Sequence, residues 1–128
     1  MKLLDTSVLI HLQREWTRDE DGPVHAYLRD HGSEEFSISV ITSLEFLEGY
    51  AQVAEGERFL EPFPQIEVTR GVARSASRIR RSLRQRGEMI GDFDILIAAT
   101  ALVAGVPLVT DNTQHFERVE GLVMERYR

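Results

Sequence analysis

The chain has 128 residues, 42% of them hydrophobic, which is enough to bury one core and too little chain for two independent units, so a single domain over 1–128 is expected. It contains no cysteine, which excludes disulfides, thiolate zinc sites and cysteine nucleophiles. A net charge of −6 argues against nucleic-acid binding as a bulk property. The apolar run Val8-Leu9-Ile10, interrupted by His11 and Gln13, is too short for a signal segment or a membrane span, so a soluble cytoplasmic protein is expected.

In chain order, Lys2 to Asp5 reads as a short buried strand ending on an acid, and Val8 to about Trp16 as a helix. Polar residues from Thr17 to Pro23 break that helix, and a short one follows over Val24 to Arg29. The alternation Phe36-Ser37-Ile38-Ser39-Val40 predicts a second strand, and Thr42-Ser43-Leu44-Glu45 opens a helix running to about Ala54. Pro62 and Pro64 mark a loop, and Ile66-Glu67-Val68 is a third strand. An arginine-rich helix fills Arg70 to Arg86 and stops at Gly87. An alanine-rich helix runs from Asp92 to about Ala104 and stops at Gly105, followed by strands at Pro107–Thr110 and Leu122–Met124. Strands alternating with helices imply an α/β fold, a three-layer α/β/α sandwich around a central, mainly parallel sheet of about five strands. In such sheets, sites form at the carboxyl ends of the strands.

Asp5, Glu45, Asp94 and the Asp111-Asn112 pair fall at expected strand ends or helix starts. Hard divalent cations take oxygen ligands, and carboxylates crowded together repel one another unless a cation lies between them. Each acid also has a purely structural role open to it. Asp5 can cap the helix after it. Thr42-x-x-Glu45 fits a capping box, with Ile41 and Phe46 as its hydrophobic staple. Asp94 suits the dipole of a first helical turn, with Asp92 as the better cap.

Charge is strongly segregated. Seven of the 15 basic residues lie between Arg70 and Arg86 with no acid among them, and the remaining eight stand against all 21 acids, a balance of −13. At about 100° per residue, Arg70, Arg74, Arg78, Arg81 and Arg84 fall within roughly 120° of one another, opposite Val72, Ala76, Ile79 and Leu83. Arg74, Arg78 and Arg81 are the candidate surface for a nucleic acid or an acidic partner, since solvated faces normally mix both signs. The histidines at 11, 25, 31 and 115 have no metal-ligand spacing and read as structural or exposed.

Four pieces together resemble the PIN-domain family and, within it, the VapC-type ribonuclease toxins. They are Leu3-Leu4-Asp5-Thr6-Ser7-Val8-Leu9-Ile10, Ser39 to Gly49 around Thr-Ser-Leu-Glu-Phe, Gly91 to Ala101 around Asp-Ile-Leu-Ile-Ala-Ala, and Leu108-Val109-Thr110-Asp111-Asn112-Thr113. The resemblance implies that Asp5, Glu45 and Asp94 are metal-binding acids, with Thr110 orienting the first. Its fourth acid falls two residues after the threonine, at Asn112, with Asp111 one residue away as the alternative. It further implies Mg²⁺- or Mn²⁺-dependent hydrolysis of RNA to 5′-phosphate and 3′-hydroxyl ends, a cognate VapB-like antitoxin that covers the acidic site, and a homodimer. The alternative is a PIN-like binding or regulatory subunit with weak or no nuclease activity because position 112 carries no charge. Two other α/β families that end a first strand in Asp fit poorly: a haloacid-type phosphatase needs an acid where Ser7 stands, and a phospho-receiver needs a late lysine, whereas Lys2 is the sole lysine.

Overall fold

The computed structural model describes residues 1–128. Strand β1 (Lys2–Leu4) is followed by helices α1 (Thr6–Thr17) and α2 (Pro23–Asp30), then strand β2 (Phe36–Ser39). Helices α3 (Val40–Leu47) and α4 (Val53–Leu60) lead to strand β3 (Gln65–Ile66). Helices α5 (Arg70–Arg86) and α6 (Asp92–Ala104), strand β4 (Leu108–Val109), helix α7 (Thr113–Phe116) and strand β5 (Met124–Glu125) complete the chain. The sheet order is β3-β2-β1-β4-β5 with every neighbouring pair parallel, as expected of strands joined through helices.

Both faces of the sheet are covered, which makes the three layers. The pleat sends Leu3 and Leu108 into one core with Val72, Ile79 and Leu83 of α5 and Ile95, Ile97 and Ala98 of α6. It sends Leu4 and Val109 into the other core, with Val8 and Leu9 of α1, Val24 of α2, Phe46 of α3 and Leu60 of α4. From β1 the chain first builds outward through β2 and β3, then returns to the other side of β1 as β4. The strand order therefore reverses between β1 and β4, and their carboxyl ends open a crevice there.

The arginine-rich helix has the predicted bounds and buries the predicted face, Val72, Ala76, Ile79 and Leu83. Gly87 ends it at φ 67°, a left-handed turn in which the Glu88 N–H reaches the Leu83 carbonyl at 2.9 Å. Gly105 closes α6 in the same way at φ 69°.

Three expectations are corrected. The helix expected from Thr42 to Ala54 is two helices, because the chain turns at Gly49 and Tyr50 and folds α4 back onto α3. Phe46 stacks on Phe59 at 5.2 Å between ring centres, and Gly56 lets α4 approach so closely that a Cβ there would sit 2.7 Å from the Leu47 side chain. The cap of α3 is Ser39, whose Oγ accepts from the Ile41 N–H at 3.0 Å, so Thr42 and Glu45 lie inside the helix and form no capping box. The cap position of α6 is Gly91 rather than Asp92, which instead pairs with Arg80 at 3.1 Å. The short helix α7 lies in a segment where the sequence signals no element.

Candidate active site

Asp5 leaves the end of β1 and caps α1: its Oδ1 accepts from the Thr6 N–H at 2.8 Å. Its Oδ2 accepts from the hydroxyls of Thr110, at the end of β4, and Ser7, each at 2.8 Å. Capping and site roles are thus combined in one side chain. An ionised carboxylate offers about four acceptor positions, so these three donors fix the group and leave one position on Oδ1 without a protein donor. The side chain is 4% exposed. Burial pushes its carboxyl up, the donors from Thr110 and Ser7 pull it down, and the charge of Asp94 pushes it up again, to about 6.

Glu45 reaches the same crevice from α3. Its Oε1 accepts from the Thr6 hydroxyl at 2.7 Å, and that hydroxyl lies 3.0 Å from Thr42 Oγ1, buried beneath it. Burial raises the Glu45 carboxyl above its ordinary value, the Thr6 hydroxyl opposes this, and the charges of Asp94 and Glu48 add to the rise. Asp94 stands in the first turn of α6 and is the shared electrostatic neighbour of both other acids. Glu45, Gly91, Asp92, Phe93 and Asp94 line an open pocket of about 370 Å³.

The two candidates for the fourth position diverge. Asp111 turns away, its Oδ2 accepting from Arg128 at 2.6 Å and the Tyr127 hydroxyl at 3.2 Å. Burial raises its carboxyl, but Arg128 and Tyr127 outweigh this and hold it below the ordinary value. Burial and the Asp111 charge push the Tyr127 hydroxyl up to about 12. Asn112 stays on the side of the acids: its Nδ2 lies 3.1 Å from Nδ1 of His115, which is 3.4 Å from Asp94 Oδ2. That ring nitrogen can accept from the amide or donate to the carboxylate, one at a time.

His115, 47% exposed, borders the acids through this contact with Asp94, which spans 21 residues and which no local pattern signals. Thr6 and Ser7 were within the legible Asp-Thr-Ser motif, yet no local pattern gives their roles in linking Asp5 to Glu45 and Asp111. On α5, Arg74, Arg78 and Arg81 are all exposed, and the arginine that meets the first turn of α6 is Arg80. Arg78 and Arg86 instead open on a separate cavity of about 510 Å³ between α5 and the C-terminal half of α6.

The donors fit a hard divalent cation in kind, since they are carboxylate and amide oxygens whose ionised forms repel one another. They do not enclose one unaided, because no three or more His, Asp or Glu side chains are gathered tightly enough. Mg²⁺ commonly keeps several waters and uses one or two protein carboxylates plus substrate oxygens, a looser arrangement compatible with this crevice.

The PIN domain family model matches residues 2–122. Ribonuclease VapC1 of Methanocaldococcus jannaschii is 33% identical over 128 residues, covering 98% of this chain and 85% of that protein. A VapBC2 structure from Rickettsia felis, bound to a DNA fragment from its promoter, superposes with a TM-score of 0.84 at 23% identity, covering 99% of this chain and 98% of the other. A toxin-antitoxin complex from Klebsiella pneumoniae superposes with a TM-score of 0.72 at 25% identity, covering 96% of each chain. With the acids brought to the region where the strand order reverses, the family's model matched along nearly the whole sequence and a VapC relative aligned over 98% of this chain, the chain belongs to the PIN-domain family and to its VapC-type toxin branch.

Proposed function

We propose that this chain, acting as one domain over 1–128, is a Mg²⁺- or Mn²⁺-dependent endoribonuclease of the VapC type. The observation that carries the reading is the convergence of three acids from three elements, Asp5 after β1, Glu45 on α3 and Asp94 in the first turn of α6, with Asp5 and Glu45 raised chiefly by burial and further by the charge of Asp94. A bound divalent cation supplies charge neutralisation at the scissile phosphate and lowers the pKa of an attacking water. Asp5, through its remaining acceptor position, and Asp94 hold the cation. Thr110 fixes Asp5 through its 2.8 Å hydrogen bond. Glu45, with one oxygen anchored by Thr6 and the other free of protein donors, orients the water. Asn112, rather than Asp111, fills the fourth position, adding an amide without charge.

By likeness to the Klebsiella pneumoniae toxin-antitoxin complex, the chain has a cognate VapB-like antitoxin. In this reading the antitoxin keeps the chain silent by covering the acids, and two copies of the chain form a homodimer. The exposed Arg74, Arg78 and Arg81 serve the RNA or a protein partner. No helix is long and apolar enough to cross a membrane.

Purified protein should cut single-stranded RNA when Mg²⁺ or Mn²⁺ is added, stop with a chelator, and be inert as Asp94→Asn. Cleavage that persists in chelator or in that variant would sink the reading. The loose gathering of the acids and the neutral Asn112 favour one second reading, a PIN-like binding or regulatory subunit. It expects RNA binding with no metal-dependent cleavage.

A further inference from the structure

A further cavity, of about 370 Å³, opens between α1 and the end of the chain. Ser7 belongs to its wall while donating to Asp5 Oδ2, and Asp111 belongs to its wall while directly following Thr110, the other donor to that oxygen. The cavity thus begins one side chain away from the carboxylate that faces the crevice.

Its charge differs from that of the catalytic crevice. Asp111 is answered by Arg128 and Tyr127. Glu15, 2% exposed, is answered by the N–H groups of Val24 and His25 and by the imidazoles of His25 and His11. Arg14, in the last turn of α1, and Arg18, the residue that ends it and whose N–H bonds the Arg14 carbonyl at 3.0 Å, are both exposed and both in the wall. The ion pairs of this region are His11–Glu15, His25–Glu15 and Arg128–Asp111, and neither Arg14 nor Arg18 takes part in one. Against these two guanidiniums the wall has a single unanswered acid, Glu20. Arg128, packed over the Tyr127 ring at 5.5 Å, keeps further donors beyond the one given to Asp111.

A chain of net charge −6 whose catalytic acids repel a polyanion needs cationic contacts close to those acids. Guanidinium forks match phosphate oxygens better than any other side chain. Resting on the ribonuclease reading above, we infer that this cavity is a phosphate subsite for single-stranded RNA, in which Arg14 and Arg18 hold phosphodiesters of the strand leading away from the one that is cut. Arg128 forms the third side of the same subsite.

The test uses full-length protein and a fluorescently labelled single-stranded oligoribonucleotide, with binding followed by anisotropy in chelator so that nothing is cleaved. Arg14→Gln/Arg18→Gln should lower the dependence of log Kd on log salt by about 0.7 per lost contact. Arg14→Lys/Arg18→Lys should keep most of that slope, and a charge-matched pair on α2 and α4, Arg29→Gln/Arg58→Gln, should keep all of it. In metal-dependent cleavage the Gln pair should raise KM with kcat unchanged. A wild-type slope in the Gln pair, or an equal fall in the α2/α4 control, overturns the subsite. Absence of cleavage by wild type with metal overturns the ribonuclease reading instead, and the anisotropy series decides the subsite separately.

Discussion

Replacing Asp5 by Asn should stabilise the metal-free protein while removing one of the acids proposed to hold the cation. Burial and the nearby Asp94 carry the Asp5 carboxyl from 3.8 to about 6. A raised acid pKa means that the folded state binds a proton more tightly than the unfolded state. Stability on this account is therefore greatest below the unfolded value and falls as pH rises from about 4 through about 6. Moving a carboxyl that far disfavours its ionised form by about 3 kcal/mol, and with the side chain 4% exposed little of this is lost to screening. Asn can still accept from Thr6, and the hydroxyls of Thr110 and Ser7 can turn to accept from its amide. Urea melts in chelator should show Asp5→Asn equal to wild type near pH 3.5 and more stable by up to about 3 kcal/mol above pH 6.5. Added Mg²⁺ should narrow the gap by stabilising wild type alone. A variant less stable than wild type at pH 7.5, or a gap that does not depend on pH, would refute the electrostatic account of the crevice.

Three further outcomes follow from the same geometry. Mg²⁺ or Mn²⁺ should raise the wild-type Tm by mass action, and Asp94→Asn should lose that shift while retaining its fold, as a thermal melt with and without metal would show. Glu45→Gln should melt at or above wild type near pH 7, because α3 is capped by Ser39 and a carboxyl raised by burial gives way to a neutral amide, yet lose cleavage; Ser39→Ala should cost about 1 kcal/mol of stability in urea melts. Thr110→Val should cost about 2 kcal/mol, since it removes a donor to a buried carboxylate and strands the Asn112 N–H, which bonds Thr110 Oγ1 at 2.9 Å; an unchanged urea midpoint would contradict this.

What was legible in the sequence is what short-range physics determines. The Arg70–Arg86 helix is read to the residue because a period near 3.6 and a left-handed glycine are both local signals. Asp5 is read as both cap and site residue because a strand end and a helix start adjoin there. Glu45 was the ambiguous case. Thr42-x-x-Glu45 meets the capping pattern by residue type, but β2 passes into α3 with no intervening loop, so Ser39 takes the cap first. The contact that places Glu45 in the crevice, from Thr6, spans 39 positions and leaves no trace in local pattern. The same holds for Asp111 and Asn112, adjacent in sequence and divergent in space because Arg128, 17 residues on, draws the first away. Gly49 could have signalled the break between α3 and α4, but an isolated glycine in an apolar helical pattern is too weak a sign without the Phe46–Phe59 stacking that makes the turn favourable.

The crevice also sets stability against function at one atom pair. Asp5 would relax if it were better solvated, neutral, or farther from Asp94, and each change would spoil an anionic oxygen held rigidly where the strand order reverses. The fold offsets the repulsion only in part, by placing Asp5 at the cap of α1 and Asp94 in the first turn of α6, where helix N-termini favour negative charge. The remainder is retained as strain in the metal-free state, and any cationic ligand that relieves it gains that free energy as affinity. Thr110 shows the direction of the compromise. Its hydroxyl could have been an apolar group at a fully buried position, yet it donates to Asp5 and so keeps the carboxylate ionisable as well as oriented. A substitution that relaxes the crevice in the absence of a cation, as Asp5→Asn is expected to, should also weaken the protein's response to Mg²⁺, so a gain in metal-free stability with no loss of that response would refute the link between the two.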